Sequence, residues 1–270
     1  MTAAIPADAR QSDKTPIILY GFGPWMGLPD ASHYTVKTEI QLRMAKLRYV
    51  KDVTGFAAAP KGKLPYIRDT DGSVVADSTF IRAHIERSRG LDLDAALKPR
   101  QRAEAWAVER MLEDHLGWAI AWFRWVPEEA FQAGPARFYD AAPAELQDDL
   151  RNAARARVIS NLQAHGLGRH AYDEIAELGL RSLNALAMLL GGGDYLFGSG
   201  MSAVDATATA FLATLTVPPL ASPLRDRVLQ LDNLTDYTQR NMARFFPPVP
   251  KPAAMPALHG DAERELMAAG

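Results

Sequence analysis

The spacing of apolar residues in the first third of the chain predicts short strands alternating with helices. The apolar run Ile17–Tyr20 ends at Gly21, which is typical of a buried strand that enters a loop. From Ser32 the apolar residues recur with the helical period, and Ser32 or Asp30 is suited to cap that helix. Residues 48–56 alternate loosely and supply a second strand. The chain therefore opens with the order strand, helix, strand.

Turn and cap residues predict the next three elements. Pro65 breaks the backbone before a third strand, and Asp71-Gly72 separates that strand from a fourth in the manner of a β-hairpin. Asp77-Ser78 then provides the start of a second helix. The first ninety residues are thus predicted to form a small α/β domain.

Beyond Leu91 the strand-like runs stop and long helical patterns begin. A helix that begins near Pro99 carries an aromatic stripe and continues until Pro127. Further on, Ser202 and Asp205 are spaced as a capping box in front of a small-residue, apolar helix. We predict a polar leader over 1–16, an α/β domain over 17–90, an all-helical domain over 98–246 and a proline-rich tail over 247–270.

Composition excludes several classes of function. The 270 residues are 48% hydrophobic and 23% charged, which is ordinary for globular proteins, and the length favours two domains. A formal net charge of -2 without runs of like charge gives no reason to expect nucleic acid or an anionic membrane as partner. The chain has no cysteine, which excludes disulfides and thiolate nucleophiles of its own. None of the six histidines pairs at metal-binding spacing, so we predict no metal.

The chain termini and the longest apolar stretch bear on location. Residues 1–16 carry charges and lack an apolar core, so they do not resemble a signal peptide, and we expect a cytoplasmic protein. The longest apolar stretch, residues 206–217, is shorter than the ~20 residues that a bilayer-spanning helix needs. We therefore predict a buried helix there.

Three motifs in order resemble the glutathione transferase superfamily: Ser32 at a helix start, Lys63-Leu64-Pro65 before a strand, and Asp77-Ser78 before a helix. The resemblance implies a thioredoxin-like N-terminal domain followed by an all-α C-terminal domain. Within the superfamily the chain is similar to the failed-axon-connections and metaxin-like branch. The motifs that carry this narrower likeness are Gly27-Leu28-Pro29, Ala76-Asp77-Ser78-Thr79, Leu112-Glu113-Asp114-His115 and Gly168-Arg169-His170.

The resemblance also implies which residues hold glutathione, the substrate that would supply the thiol. Ser32 would stabilise the thiolate at a helix N-terminus, and Tyr20 is the rival donor, although a plain helix cap and core packing are the alternatives. Pro65 would follow a cis peptide bond. The residues implied in glutathione binding are Lys63, Leu64, Pro65, Asp77 and Ser78.

Aromatic residues are the candidates for the pocket that takes the electrophile. They lie in the glycine-rich loop after the first strand and on the long helix, which also carries His115 and Arg124. Part of the aromatic stripe on this helix must pack in the hydrophobic core. The candidates are Phe22, Trp25, His115, Trp118 and Trp122.

Three functions agree with this resemblance. The first is transfer of glutathione to a small hydrophobic electrophile, with the thiolate stabilised at a helix N-terminus. The second is a non-catalytic glutathione-binding or protein-interaction module of metaxin-like type, since a fold alone does not confer activity. The third is a glutathione-dependent isomerase or lyase. The resemblance also allows a homodimer.

Overall fold

The computed structural model of the chain describes residues 16–247. Nearly all of the predicted leader and of the proline-rich tail lies outside these residues. Within the described part, no helix is long and apolar enough to cross a membrane.

A four-stranded mixed sheet forms the centre of the N-terminal half. Its strands are β1 (Ile17–Tyr20), β2 (Tyr49–Asp52), β3 (Tyr66–Arg68) and β4 (Val74–Ala76), in the spatial order β2-β1-β3-β4. β1 pairs with β2 in parallel, because the helix between them carries the chain back, whereas β3 pairs antiparallel with both β1 and β4. This is the predicted order of elements.

The two faces of the sheet are covered differently. Helices α1 (His33–Met44) and α2 (Ser78–Arg89) pack on one face, where Leu19 of β1 meets Leu42 and Ile81. Because side chains alternate along a strand, Tyr20 points to the other face and packs with Leu64 and Tyr66. The tyrosine that ends β1 therefore lies on the side of the sheet opposite α1.

Helices make up the described C-terminal half. They are α3 (Pro99–Met111), α4 (Gly117–Trp125), α5 (Glu128–Ala133), α6 (Ala144–His165), α7 (Tyr172–Leu190), α8 (Ala203–Thr216), α9 (Pro223–Leu229) and α10 (Asp232–Phe245). The short α5 and α9 have no counterpart in the elements that the sequence pattern predicted. The aromatic helix predicted from Pro99 to Pro127 is interrupted by a π segment, Leu112–Leu116, that separates α3 from α4. A π turn holds one extra residue, which rotates the following side chains by about 100°.

The buried helix α8 begins at the predicted cap. The amide and the hydroxyl of Ser202 each donate to the Asp205 carboxylate, at 2.8 Å in both cases. The other carboxylate oxygen accepts from the Leu196 amide at 2.9 Å and from the Tyr237 hydroxyl at 2.8 Å. Burial raises the pKa of Asp205. The four donors satisfy the hydrogen-bonding needs of this buried carboxylate at the start of α8. Asp205 thereby joins α8, α10 and the loop before α8.

Helix α1 links the two halves. Val36 and Ile40 pack against Ala206 and Ala210 of α8, whose small side chains let the two helices approach closely. Beside this contact, Lys37 is fully buried and its ammonium forms ion pairs with two carboxylates from α3 and the π segment. These carboxylates belong to Glu109, at 2.7 Å, and Glu113.

Candidate functional site

The register of the sheet brings the three sequence motifs to one edge. Tyr66 of β3 lies opposite both Tyr20, the last residue of β1, and Ala76, the last residue of β4. The segment before Tyr66 therefore adjoins the two loops that follow Tyr20 and Ala76. In agreement, the amide of Asp77 donates to the carbonyl of Pro65 at 3.4 Å.

The second and third motifs form a continuous backbone surface. The Leu64–Pro65 peptide bond is cis, and neither the amide nor the carbonyl of Leu64 makes a hydrogen bond within residues 16–247. Asp77 has a φ of 81°, an unusual angle for a residue with a side chain, and its carboxylate accepts from the Thr79 amide at 2.9 Å. Ser78 is buried at the first position of α2. The free amides of this helix start favour an anionic ligand group.

Ser32 is the N-cap of α1. Its backbone is extended, and its Oγ accepts from the Thr35 amide at 3.4 Å, which is a long hydrogen bond. The hydroxyl proton is not used in this contact and remains available to a second acceptor. The positive end of the helix dipole and this hydroxyl together suit a thiolate at the start of α1.

A buried carboxylate holds the loop that carries Ser32. Asp30 accepts from the amide of Gly23 at 2.9 Å and from the amide of Ser32 at 3.0 Å, and the ammonium of Lys51 lies 3.3 Å away. At Gly21 an added Cβ would lie 2.5 Å from this carboxylate, so only glycine fits. The sequence pattern indicated Asp30 only as a possible helix cap, and it did not predict that this carboxylate holds the loop between β1 and α1.

Tyr20 is placed as a packing residue. Its ring stacks on Tyr66, with centroids 4.0 Å apart and planes 10° apart. An added Cβ at Gly55 would lie 2.2 Å from the Tyr20 ring, so the chain covers this ring closely. The stacking and the opposite side of the sheet favour the core alternative for Tyr20 over the role of thiolate donor.

The side chains of Trp25, His33 and Arg124 meet near α8 beside Ser32, and we call the region between them the cleft. The His33 ring lies 4.2 Å from the Phe211 ring of α8, between centroids. One turn further along α8, the carbonyl of Thr214 accepts from the guanidinium of Arg124 at 2.8 Å. The same guanidinium lies over the ring of Trp25, 5.2 Å from its centroid. Loop, α1 and α4 thus converge on one stretch of α8.

Electrostatics in this cleft favour a neutral histidine. Burial, and secondly the charge of Arg124, lower the pKa of His33 to about 3, so the imidazole is uncharged at neutral pH. Its Nδ1 atom is buried and has no hydrogen-bond partner within the described residues. Burial alone lowers the pKa of Arg124 to about 10, which leaves the guanidinium charged near neutrality.

The other electrophile-pocket candidates lie in different surroundings. Three of them lie on α4 and the π segment, and their contacts among the described residues are with α6 and α7, away from Ser32. The π segment rotates the aromatic stripe to that side. The contacts are His115 Nδ1 with Ser182 Oγ at 2.8 Å, the Trp118 ring stacked 4.3 Å from His165, and the Trp122 ring 5.6 Å from Tyr172. Whether these three touch a substrate stays a prediction.

Phe22 and the two lysines are at the rim of the site. Phe22 is 51% exposed and its ring lies 5.7 Å from that of Phe56. The Lys61 ammonium lies over the exposed Phe80 ring at 4.5 Å, and Lys63 is exposed. The roles predicted for Phe22 and Lys63 stay predictions. In the described part of the chain, no group of three or more potential ligands is arranged to hold a metal ion.

Comparison with known proteins identifies the family. Residues 33–130 match the sequence profile of the glutathione S-transferase N-terminal domain, and residues 179–241 match that of its C-terminal domain. Isoprene-epoxide glutathione S-transferase from a Rhodococcus species is 30% identical over 83% of this chain and 97% of its own. The chain therefore belongs to the glutathione S-transferase family.

Other relatives include proteins of the branch that the motifs indicated. Failed axon connections of Drosophila melanogaster is 30% identical over 87% of this chain and 59% of its own, and metaxin-1 of Sus scrofa is 27% identical over 90% and 80%. Among solved structures, a glutathione transferase from Phanerochaete chrysosporium superposes with a TM-score of 0.62 at 18% identity, covering 87% of this chain and 99% of that one. The predicted fold, a thioredoxin-like domain followed by an all-α domain, is confirmed.

Proposed function

We propose that this protein is a glutathione-dependent transferase that conjugates glutathione to a small hydrophobic electrophile, with the thiolate held by Ser32 at the start of α1. The observation that carries the proposal is the hydrogen bond between Asp77 and Pro65, because it joins the second and third motifs into one backbone surface. Membership of the family and the named activity of the Rhodococcus relative support it.

In the proposed reaction each motif has one task. The free backbone groups of Leu64 pair with the cysteinyl part of glutathione, and the buried start of α2 at Ser78 receives the γ-glutamyl carboxylate. Asp77 faces the γ-glutamyl ammonium. The thiolate at Ser32 attacks the electrophilic carbon, a C–S bond forms, and the electron pair of the broken bond leaves with the departing group. The thiol proton passes to solvent.

A small epoxide is the first electrophile to test, since the Rhodococcus relative is named for one. In that case the C–O bond breaks, and the oxygen takes the electron pair and then a proton from water. The site also agrees with a glutathione-dependent isomerase or lyase, whose products differ, and product analysis by mass spectrometry separates the three reactions.

The experiment that tests the proposal measures glutathione binding by calorimetry. Ser78→Ala should raise the Kd of glutathione about tenfold, because a lost hydrogen bond to a charged group costs about 1.5 kcal/mol. Ser88→Ala, at the other end of α2, is the matched control and should leave the Kd unchanged. Absence of binding at millimolar glutathione would instead favour the protein-interaction module, which the metaxin-1 and failed-axon-connections relatives make the alternative.

The proposal includes a homodimer and a cytoplasmic location, both on the strength of the sequence. Sedimentation equilibrium should give about twice the chain mass of 29.6 kDa. Fractionation of the source cells should place the protein in the cytosolic fraction.

A further inference from the structure

The guanidinium of Arg124 is a charged group with few partners in a largely aromatic cleft. It donates to one carbonyl, that of Thr214, and lies over the Trp25 ring. Within residues 16–247 no carboxylate forms an ion pair with it, and burial lowers its pKa. A guanidinium carries five N–H donors, so most of them have no acceptor here. Burial of such a charge is unfavourable unless an anion accompanies it.

Other half-buried arginines among residues 16–247 have more acceptors than Arg124. Arg82 pairs with Asp94, Arg110 pairs with Glu113 at 2.7 Å, and Arg155 pairs with Glu128. Arg225 has no carboxylate, but one of its nitrogens donates to three carbonyls, those of Leu215, Thr216 and Pro218. Arg227 has no ion pair either, but it donates to the side-chain oxygens of Asn184 at 2.9 Å and Gln230 at 3.5 Å. Arg124 differs from all of these, because it has a single acceptor within the described residues.

The position of Arg124 places its free donors at the substrate cleft. Its guanidinium contacts α8 at Thr214, one turn from Phe211, on which the ring of His33 rests. His33 directly follows Ser32, the proposed thiolate residue. Arg124 is half-buried, so part of its side chain is open to solvent. The neighbouring imidazole has a buried Nδ1 without a partner, which is a second polar group that faces no acceptor or donor of the described chain.

We propose that Arg124 binds a carboxylate on the electrophile, so that the substrates are small hydrophobic electrophiles with a negatively charged carboxylate. The inference rests on the proposed transferase function. The planar fork of a guanidinium fits the two oxygens of a carboxylate. His33 and Trp25, both partly exposed, supply flat surfaces for the apolar part of such a molecule. The carboxylate gives Arg124 the counter-charge that residues 16–247 lack.

The test uses one charged and one neutral electrophile, and each rate is divided by the uncatalysed rate with glutathione because the carboxamide withdraws electrons more strongly than the carboxylate. A chlorodinitrobenzoate and its neutral carboxamide have the same reacting carbon, from which the thiolate displaces chloride. Steady-state kinetics at neutral pH are measured for the wild type, Arg124→Met and Arg124→Lys. Arg181→Met is the matched control, since Arg181 is an exposed arginine of α7 paired with Glu177. Calorimetry with the unreactive dinitrobenzoate and with glutathione accompanies the kinetics.

The proposal expects the wild type to prefer the benzoate. Arg124→Met should lower kcat/KM for the benzoate about 10- to 100-fold, mainly through KM, because hydrogen bonds to a charged group are lost. The carboxamide and the Kd of glutathione should change less than about twofold, and Arg124→Lys should fall between. Arg181→Met should behave as the wild type.

Four outcomes overturn the proposal. In the first, the wild type does not prefer the benzoate, and in the second, Arg124→Met loses equal amounts of kcat/KM for both electrophiles. In the third, Arg124→Met binds glutathione more weakly than the wild type does. In the fourth, dinitrobenzoate binds the wild type and Arg124→Met with the same Kd. If the wild type turns over neither electrophile, the proposed transferase function fails, and the binding of dinitrobenzoate still decides the role of Arg124. If Arg124→Met does not fold, the Arg124→Lys variant and the preference of the wild type decide it.

Discussion

The carboxylate of Asp30 accepts a hydrogen bond from the backbone amide of Ser32, with Oδ1 and N 3.0 Å apart. The second oxygen of the same carboxylate accepts from Gly23 and lies near Lys51. Asp30 therefore sets the position of the loop that presents the proposed thiolate residue. It does so from a fully buried position, without facing the cleft.

Asp30→Ala should lower kcat more than it changes the Kd of glutathione. The loop loses four hydrogen bonds or ion contacts, so Ser32 is less well positioned. The free energy of unfolding should fall by about 2 to 3 kcal/mol. Asp30→Asn retains one acceptor oxygen and should recover part of kcat. Both quantities are measured below the melting temperature of each variant.

The control for Asp30 is Asp71→Asn, in the exposed hairpin turn where Asp71 makes the same kind of bond to Ser73 at 2.9 Å. It should leave kcat unchanged. If Asp30→Ala loses stability while the kcat and the pKa of bound glutathione stay at wild-type values, Asp30 has only a structural role.

Ser32→Ala should raise the pKa of the bound glutathione thiol. One hydrogen bond to a charged sulfur is worth roughly 1.5 to 3 kcal/mol, so turnover near neutral pH should fall about tenfold or more. The affinity for glutathione should change little. Rates with a chlorodinitrobenzene-type electrophile over pH 6 to 9 measure both the loss and its dependence on pH.

Tyr20→Phe is the matched comparison for Ser32→Ala. Phenylalanine keeps the stacking on Tyr66, so we expect a loss of less than about twofold. A loss larger than that of Ser32→Ala would refute the assignment of Ser32 and leave it as a plain helix cap.

Lys37→Met should destabilise the contact between the two halves. The substitution leaves Glu109 and Glu113 buried without their shared ammonium, and removal of one partner from a buried ion pair costs about 3 kcal/mol or more. Equilibrium unfolding in urea measures the loss. Adding Glu113→Gln to this variant should restore part of the stability, whereas Arg100→Met, at an exposed pair with Glu104, should have little effect.

Protonation of His33 in the unfolded chain should lower the free energy of unfolding as the pH falls below neutral. Its folded-state pKa of about 3 lies below the ordinary value of 6.5, so the unfolded chain binds a proton first as the pH falls. The stability present above pH 6.5 is therefore lost progressively between pH 6.5 and about 3. By pH 5 the loss from this group should be about 1 to 2 kcal/mol, after allowance for the partial exposure of the ring.

His33→Phe keeps the ring contacts and removes this titration. The difference in unfolding free energy between His33→Phe and the wild type should grow in favour of the variant from pH 7 to pH 5. His170→Phe, at an exposed site, is the control and should give no such change. A constant difference for His33→Phe would show that the imidazole titrates normally in the folded protein.

The sequence by itself determined the local structure of the proposed thiol site. The end of β1, the hairpin at Asp71-Gly72 and the helix starts at Ser32 and Ser78 depend on residues within a few positions of each other. Such signals come from glycine, proline and cap residues that act on their own backbone. The predicted fold, and the predicted order of elements in the N-terminal half, therefore agree with the structure.

Tertiary structure alone decided the composition of the cleft. The approach of His33 to Phe211, and of Arg124 to Trp25 and Thr214, joins residues that are about 90 positions or more apart. No periodicity marks such contacts, because they depend on how α1 and α4 pack on α8. The π segment had a similar effect: one extra residue in a turn redirected the aromatic stripe of α4 toward α6 and α7. Helical spacing predicts which residues share a face, whereas only packing decides what that face meets.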